Sequence, residues 1–393
     1  MQRKFLLIEG KNPIREDVQA LLAERYHRLE MLVHSTDYCH KHFSEIDWNA
    51  YSLVLINCPY SVDDKFSKLS AIKNRQKSPM VLVLTQSQSV ADKVIQAGAD
   101  SVFLHNNCLS DLAAKVENLL ELKQYLDLYP FTAEGYQIHE VIHDTDDAII
   151  YRASYKDANV AVKRFKYNLS TLKPKLIHQL KLELNASVAL KHQGLVDVIT
   201  SGISDHAFYI TMEYIAGGNL KNILDTHGTP PLTQSIAWFI EIAEAVKAIH
   251  RAGLLHRDLK TSNILLKDDG SLALTDYGIE KKLLMDVGCI AEDEIYCTPY
   301  YVSPERVTGN CCTKASDIYS LGVIFYELLT GERPFDANSL VDLMKQHILA
   351  PVPKLSTELQ IYQGFLDKIL AKCPDQRFAS VEEVLESLDK IHT

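Results

Sequence analysis

The chain has 393 residues, 47% of them hydrophobic and 23% charged, with a formal net charge of −10. That length suits two or three domains rather than one core, and the acidic balance argues against nonspecific binding to nucleic acid or anionic membrane as the main task. No apolar run approaches the roughly 18–20 residues that span a bilayer, and the apolar stretch in MQRKFLLIEGKN is too short for a signal peptide, so the expected location is the cytoplasm. The 8 cysteines include no Cys-x-x-Cys pair and read as buried or free thiols in a reducing compartment. Cys289 and Cys297 carry the alternative of a redox role.

Along the first 125 residues, short apolar runs alternate with amphipathic stretches. KFLLIEG, MLVHS, SLVLINC, MVLVLTQ and SVFLH read as buried strands, with IREDVQALLAERY and SVADKVIQAGA at helical spacing between them. Repeated strand-then-helix units predict a parallel sheet covered on both faces, an α/β flavodoxin-like doubly wound fold whose functional edge is the carboxyl end of the strands. In SDLAAKVENLLELKQYLDLYP, Leu112, Val116, Leu119 and Leu126 fall on one helical face, interrupted by Lys123. The first half of this helix is expected to pack on its own sheet; its extension to Leu128 offers a helical joint or a dimer contact over residues 112–128. Pro130 ends it, and Thr132 to Gly135 read as a short linker.

Residues 1–125 resemble a bacterial two-component receiver domain, by pattern more than by identity. On that resemblance, YSLVLIN holds the phosphate-accepting strand, VLVLT the hydroxyl position and AGADSVFLHN the last strand. The acceptor aspartate position is Asn57, whose amide cannot form an acyl phosphate; the family lysine is His105, and the acidic metal-binding pair is reduced to Glu9. Thr85 alone matches. The resemblance therefore implies a pseudo-receiver used for docking or dimerisation.

From residue 136 four signatures follow in order: LLHRDLKTSNILLK (254–267), LALTDYGIE (272–280), CTPYYVSPE and SDIYSLGVIFYELLTGERPF. This region, 136–393, resembles the eukaryotic-like Ser/Thr protein kinases. The implied fold is α+β and bilobal, with a small lobe at 136–213, a large lobe at 216–393 and residues 126–135 as linker. The implied cofactors are ATP and Mg2+, because phosphoryl transfer needs positioning and charge neutralisation more than covalent chemistry. Asp258 matches the residue that orients the substrate hydroxyl and accepts its proton, and Lys260 the one that steadies the transferring phosphate. Asn263 and Asp276 match the Mg2+ ligands, with the hard oxygen donors that ion takes. Lys163 of VAVK matches the lysine on the α- and β-phosphates, and Glu183, on an amphipathic helix, its ion-pair partner. In ITMEYIAGGNL, Met212 matches the gatekeeper, and the backbone of Glu213 and Ile215 would bond adenine between Ala161 and Leu265. Thr298 matches the substrate platform, Glu305 and Arg377 a buried bracing ion pair, and Asp317 a residue capping the catalytic-loop backbone.

Two features depart from the family pattern. Residues 279–295 contain no Ser, Thr or Tyr, so the acidic Glu292, Asp293 and Glu294 are candidates to pair with Arg257 in place of a phosphate, or else a solvated loop. The nucleotide hairpin, VIHDTDDAII, has no glycine: the family glycine positions fall on His143, Thr145 and Ala148. Side chains there are expected to hold the loop back, with Asp144, Asp146 and Asp147 placing negative charge near the phosphates and Ile142 and Ile150 covering adenine and ribose. The implied function is a Ser/Thr protein kinase regulated by an attached pseudo-receiver in bacterial signal transduction, acting on protein substrates, with an upstream signalling protein as a candidate partner and neither nucleic acid nor membrane. The alternatives are a pseudokinase scaffold, which the hairpin favours, and a small-molecule phosphotransferase, which the HRDLK form disfavours.

Overall fold

The computed structural model describes residues 3–9, 29–35, 44–57, 72, 78–104, 109–145, 147–167, 169–171, 174–277 and 299–392. The chain divides into two compact units, Met1–Lys166 with Ile203–Tyr209, and Tyr167–Gly202 with Ile210–Thr393.

In the first unit, strands β1 (Arg3–Glu9), β2 (Leu29–Ser35), β3 (Leu53–Asn57), β4 (Met80–Thr85) and β5 (Ser101–Leu104) form one parallel sheet in the order β2-β1-β3-β4-β5. This is one of the two common orders of doubly wound sheets. The runs LVLIN and MVLVLT are buried at every position, as central parallel strands must be when both faces are covered. Alternate residues feed two cores. Leu6, Ile8, Val54, Ile56, Val81 and Val83 pack with Val90 and Val94 of helix α1 (Gln88–Gln96). Phe5, Leu7, Leu53, Leu55, Leu82 and Leu84 pack with Leu112, Val116 and Leu119 of helix α2 (Leu109–Leu128).

That second core does not stop at α2. It continues into Ile138, Ile149, Tyr151, Ala153, Val160 and Val162, on strands β6 (Tyr136–Asp144), β7 (Ala148–Tyr155) and β8 (Ala158–Phe165). The stripe that the sequence offers to a second copy of the chain is therefore occupied within the chain; at its end only Leu128 stands open, 66% exposed. Lys123, the interruption in the stripe, is buried and ion-paired to Asp127 at 2.5 Å. The stretch read as a linker is likewise tied down. Phe131 packs edge-on against Tyr136 and Tyr209, and the Thr132 amide and hydroxyl donate to Asp205 at 2.9–3.1 Å.

The second sheet has the order β6-β7-β8-β10-β9, with β9 at Val198–Ser204 and β10 at Ala207–Glu213. Two-residue turns, Lys156–Asp157 and Asp205–His206, close its β7–β8 and β9–β10 hairpins with positive φ at both positions, the geometry whose twist matches the strands.

The second unit holds α3 (Pro174–Ala189), α4 (Leu220–His227), α5 (Leu232–Arg251), the short β11 (Ile264–Leu266) and β12 (Leu272–Leu274), α6 (Lys314–Thr330), α7 (Leu340–Leu349), α8 (Gln363–Ile369) and α9 (Val381–His392). Its core is aromatic: Phe239, Phe325 and Phe365 meet at centroid separations of 4.3–6.1 Å. Gly322 lets α6 lie against α8, since a Cβ there would stand 2.7 Å from Ile369. Among the described residues no helix is long and apolar enough to cross a membrane.

Candidate functional site

Of the non-glycine residues with positive φ among those described, four form the two hairpin turns and the other two are Arg257 and Asp276. Left-handed backbone outside a turn stores strain and clusters at functional sites. Both residues lie in the second unit, on the loops before β11 and after β12.

The loop 256–263 is fixed from beneath by a buried carboxylate. Asp317, near the start of α6 and 2% exposed, accepts the backbone N–H groups of His256 and Arg257 at 2.9 Å each and a bond from His250 Nε2 at 2.8 Å. Burial would push its carboxyl up; the hydrogen bond from His250, the neighbouring His250 and His256 and the Arg257 amide outweigh burial and hold it below the usual range. His256 is wholly buried, burial pushes its pKa down, and neither ring nitrogen has a hydrogen-bond partner among the described residues.

Above this base, Lys260 Nζ lies 2.9 Å from Asp258 Oδ2. Asn263 donates through Nδ2 to the Asp258 carbonyl at 2.9 Å and to its carboxylate at 3.3 Å. That choice of donor turns the Asn263 amide oxygen away from Asp258. The Thr275 amide donates to the Asn263 carbonyl at 3.0 Å, which places Asp276 one residue beyond a backbone tie to the same loop. The structure thus brings Asp258, Lys260 and Asn263 together and ties the segment just before Asp276 to them. Asn263 and Asp276 present the oxygen donors that suit Mg2+, which characteristically takes one or two carboxylates and completes its shell with water and substrate phosphates.

Arg257 lies beside Glu183 of α3, Nη1 to Oε2 3.5 Å, and its carbonyl accepts from Arg306 at 2.6 Å. The candidate acidic partners Glu292, Asp293 and Glu294 lie outside the described residues, as do Thr298, Cys289 and Cys297.

At the strand β10 exit, Met212 is buried and its sulfur accepts from Thr275 Oγ1 at 3.7 Å. The Glu213 amide donates to the Asp197 carbonyl at 3.0 Å, and Asp197 returns a bond to the Glu213 carboxylate at 2.9 Å, so only the Glu213 carbonyl remains to face a ligand from that backbone position. Ile215 is half-buried just past the strand, and Leu265 is half-buried in β11 opposite Ala273. Gly217 is forced by close approach, because a Cβ would stand 2.2 Å from the Leu266 carbonyl oxygen.

In the first unit the register of β6, β7 and β8 sorts residues by face. His143, Ile150 and Lys163 are cross-strand partners, as are Glu140, Arg152 and Ala161. The alternate set, Asp144, Ile149 and Arg164, then Val141, Tyr151 and Val162, lies on the opposite face, whose Ile149, Tyr151 and Val162 enter the core shared with α2. Ala161 and Lys163 therefore share a face with Ile150, and Ile142 is the extra residue in a bulge, 43% exposed.

This register corrects the expectation for the hairpin's acidic tip. Asp144 lies on the face away from Lys163, where it accepts from Lys166 at 2.7 Å and from the Tyr125 hydroxyl at 3.0 Å. Burial would raise its carboxyl, yet those two partners hold it below the usual range. Nor is Thr145 a bystander where glycine is expected. Its hydroxyl donates to the Ala148 carbonyl at 3.0 Å and accepts from the Ala148 amide at 3.1 Å, so the side chain closes the turn itself. Asp146 lies outside the described residues.

The receiver-like positions fall at one edge. Glu9, Asn57 and Thr85 end β1, β3 and β4, at the carboxyl edge where doubly wound sheets bind ligands. Asn57 and Thr85 are buried, and Thr85 Oγ1 accepts from the Ser87 amide at 3.3 Å. His105 lies outside the described residues.

Glu305 and Arg377 meet in a two-pronged pair at 2.8 and 2.9 Å. Ser316 adds a bond to Glu305, and Arg377 also reaches the carbonyls of Ala315, Ala371 and Lys372. Sequence reasoning missed His250, the partner of Asp317, and a buried relay in which Thr261 and Tyr301 hydroxyls meet at 2.8 Å and Tyr301 donates to Glu327 at 2.5 Å. These partners lie 26–67 residues apart, and no local spacing signals them.

The protein kinase domain family matches residues 146–388. Among curated relatives, a probable serine/threonine-protein kinase of Clostridium perfringens is 31% identical over 263 residues, covering 65% of this chain and 38% of its own length. PrkC of Bacillus subtilis is 30% identical over 63% of this chain and 39% of its own, and PknB of Mycobacterium leprae 30% over 60% and 39%. The chain thus spans about two-fifths of the length of these relatives.

Proposed function

We propose, from the premise that this chain belongs to the protein kinase domain family, that it transfers the γ-phosphoryl group of ATP to Ser or Thr hydroxyls of protein substrates. The observation that carries this reading is the cluster of Asp258, Lys260 and Asn263 within hydrogen-bond reach, braced by Asp317. The Asp258 carboxylate orients the acceptor hydroxyl and takes its proton as the bond to phosphorus forms. Lys260, beside it, steadies the transferring group. Asn263 and Asp276 would supply the protein oxygens for Mg2+, which would neutralise charge on the phosphates when bound. Lys163 is assigned to the α- and β-phosphates, and Glu183 takes the position of the family's acidic helix residue. Ala161, Ile142 and Ile150 in the first unit, and Met212, Leu265 and the Glu213 and Ile215 backbone in the second, are the residues this reading assigns to adenine. Thr298 is assigned to the substrate platform, and Arg257 to pairing with the acidic residues Glu292, Asp293 and Glu294 in place of a phosphate. The names of the relatives support Ser/Thr rather than other acceptors.

Residues 1–125 act, in this reading, as a degenerate receiver. The parallel order β2-β1-β3-β4-β5, with Glu9, Asn57 and Thr85 at its carboxyl edge, supports that reading. Asn57 in place of a carboxylate makes it a docking module rather than a phosphate acceptor.

The test is transfer from labelled ATP by the full chain beside Asp258→Asn. Loss of a general base costs about 10²–10⁴-fold in rate, so the variant should fall by that much with its fold intact by circular dichroism. Equal labelling by both proteins sinks the assignment of Asp258; no labelling by either makes the chain a pseudokinase scaffold.

A further inference from the structure

The hairpin β6–β7 is gripped from behind by the helix that ends the N-terminal sheet. At the last turn of α2, the Tyr125 hydroxyl donates to Asp144 Oδ2 at 3.0 Å, and Lys166 Nζ lies 2.7 Å from Asp144 Oδ1. The chain just past α2 is clamped in the same place. Arg164 Nε donates to the Pro130 carbonyl at 2.9 Å, and the Arg164 and Lys166 cations stand 5.7 and 5.3 Å from the Tyr129 ring. Asp144 neighbours His143 on β6, and His143 is in register with Ile150 and Lys163 on the other face. Thr145 closes the turn with its own side chain, which bonds both the carbonyl and the amide of Ala148. Glycine at this turn would add backbone freedom that the Thr145 side chain here restrains.

We infer that Tyr125 is a positioning residue for ATP, and that through the Tyr125–Asp144–Lys166 contact the N-terminal sheet sets how well the hairpin engages nucleotide. The inference rests on the reading of the Lys163 face as the nucleotide face. The route is continuous in packing: β4 and β5 carry α2 through Leu82, Leu84, Phe103, Leu112, Val116 and Leu119, and α2 carries Tyr125. A ligand or partner that tilts α2 on its sheet therefore moves Asp144. The contact is accessible to solvent, so its contribution to overall stability is small while its effect on local geometry is direct.

The experiment compares wild type, Tyr125→Phe, Asp144→Ala and the double variant, all as the full chain, in steady-state kinetics and in amide hydrogen exchange without nucleotide. Phe keeps the ring packed and removes only the hydroxyl. Tyr125→Phe should raise the KM for ATP about two- to ten-fold, the worth of one ordinary solvent-accessible hydrogen bond, with kcat and the thermal midpoint unchanged. Exchange should speed up over residues 141–150. Asp144→Ala and the double variant should show the same KM, because both substitutions act through one carboxylate. An unchanged KM, or additive effects in the double variant, overturns the inference. If wild type transfers no phosphate, the functional reading falls instead, and exchange alone then decides: faster in Tyr125→Phe supports the brace, and equal exchange refutes it.

Discussion

In the second unit, two charged groups that brace the fold are sealed. Asp317 and Arg377 are 2% and 4% exposed, and each makes several hydrogen bonds. At the hairpin, Asp144 is exposed, Tyr125 is half-buried, and the two share one solvent-accessible bond. The same type of contact therefore has two uses. A buried charge left without its partner cannot recover water, so the sealed network makes the loop geometry inseparable from the fold of its unit. An exposed pair can exchange its partner for water at little cost, so it adjusts a surface element without committing the core. In the proposed reading, a catalytic loop suits the first arrangement, and a hairpin over the nucleotide suits the second.

The comparison is broken most severely at Arg377. Arg377→Met should destabilise the second unit by about 3–5 kcal/mol, because it strands the Glu305 carboxylate among buried groups; urea denaturation followed by tryptophan fluorescence measures it. A loss below about 1 kcal/mol would place this pair in the class of surface contacts.

Leu119→Ala tests the core shared by the N-terminal sheet and the hairpin sheet. Removing this buried side chain should cost about 2–5 kcal/mol, and exchange protection should fall together in β4 and in β7. Protection lost in β4 alone would mean that the two sheets fold independently.

The pH dependence sharpens the contrast further. Burial opposes ionisation of Glu305, but its bonds to Arg377 and Ser316 hold its folded pKa below the ordinary 4.5. A depressed carboxylate contributes stability that is present above 4.5 and lost as pH falls through the lower folded value. The acid limb of a stability–pH profile should accordingly be shallower in Glu305→Gln. The smallest effect is reserved for the surface: Tyr125→Phe should change global stability by less than about 1 kcal/mol while shifting KM.

Much of this was legible in the sequence. The central strands β3 and β4 announced themselves as short apolar runs, since a strand buried on both faces has no polar positions to alternate. Asp258, Lys260 and Asn263 lie within six residues, so backbone geometry alone brings them together once the loop forms. The face on which Asp144 lies was not legible. Irregularities between Ile138 and Glu140 and between Val141 and His143 each insert an extra residue in β6, and every insertion reverses the alternation on which a sequence reading depends.

The amphipathic stripe of α2 illustrates the same limit. Its periodicity showed that Leu112, Val116 and Leu119 must be covered, but an apolar face carries no label for what covers it. By itself, the sequence determined the chemistry of the groups and the local spacing that assembles them, because these depend on neighbours along the chain. The tertiary structure decided that α2 is covered by two sheets of its own chain, that Glu183 lies against Arg257, and that Asp144 faces Tyr125 rather than the Lys163 face. Those outcomes depend on packing and register between segments distant in sequence, where a single bulge or a shared core determines which partner a side chain meets.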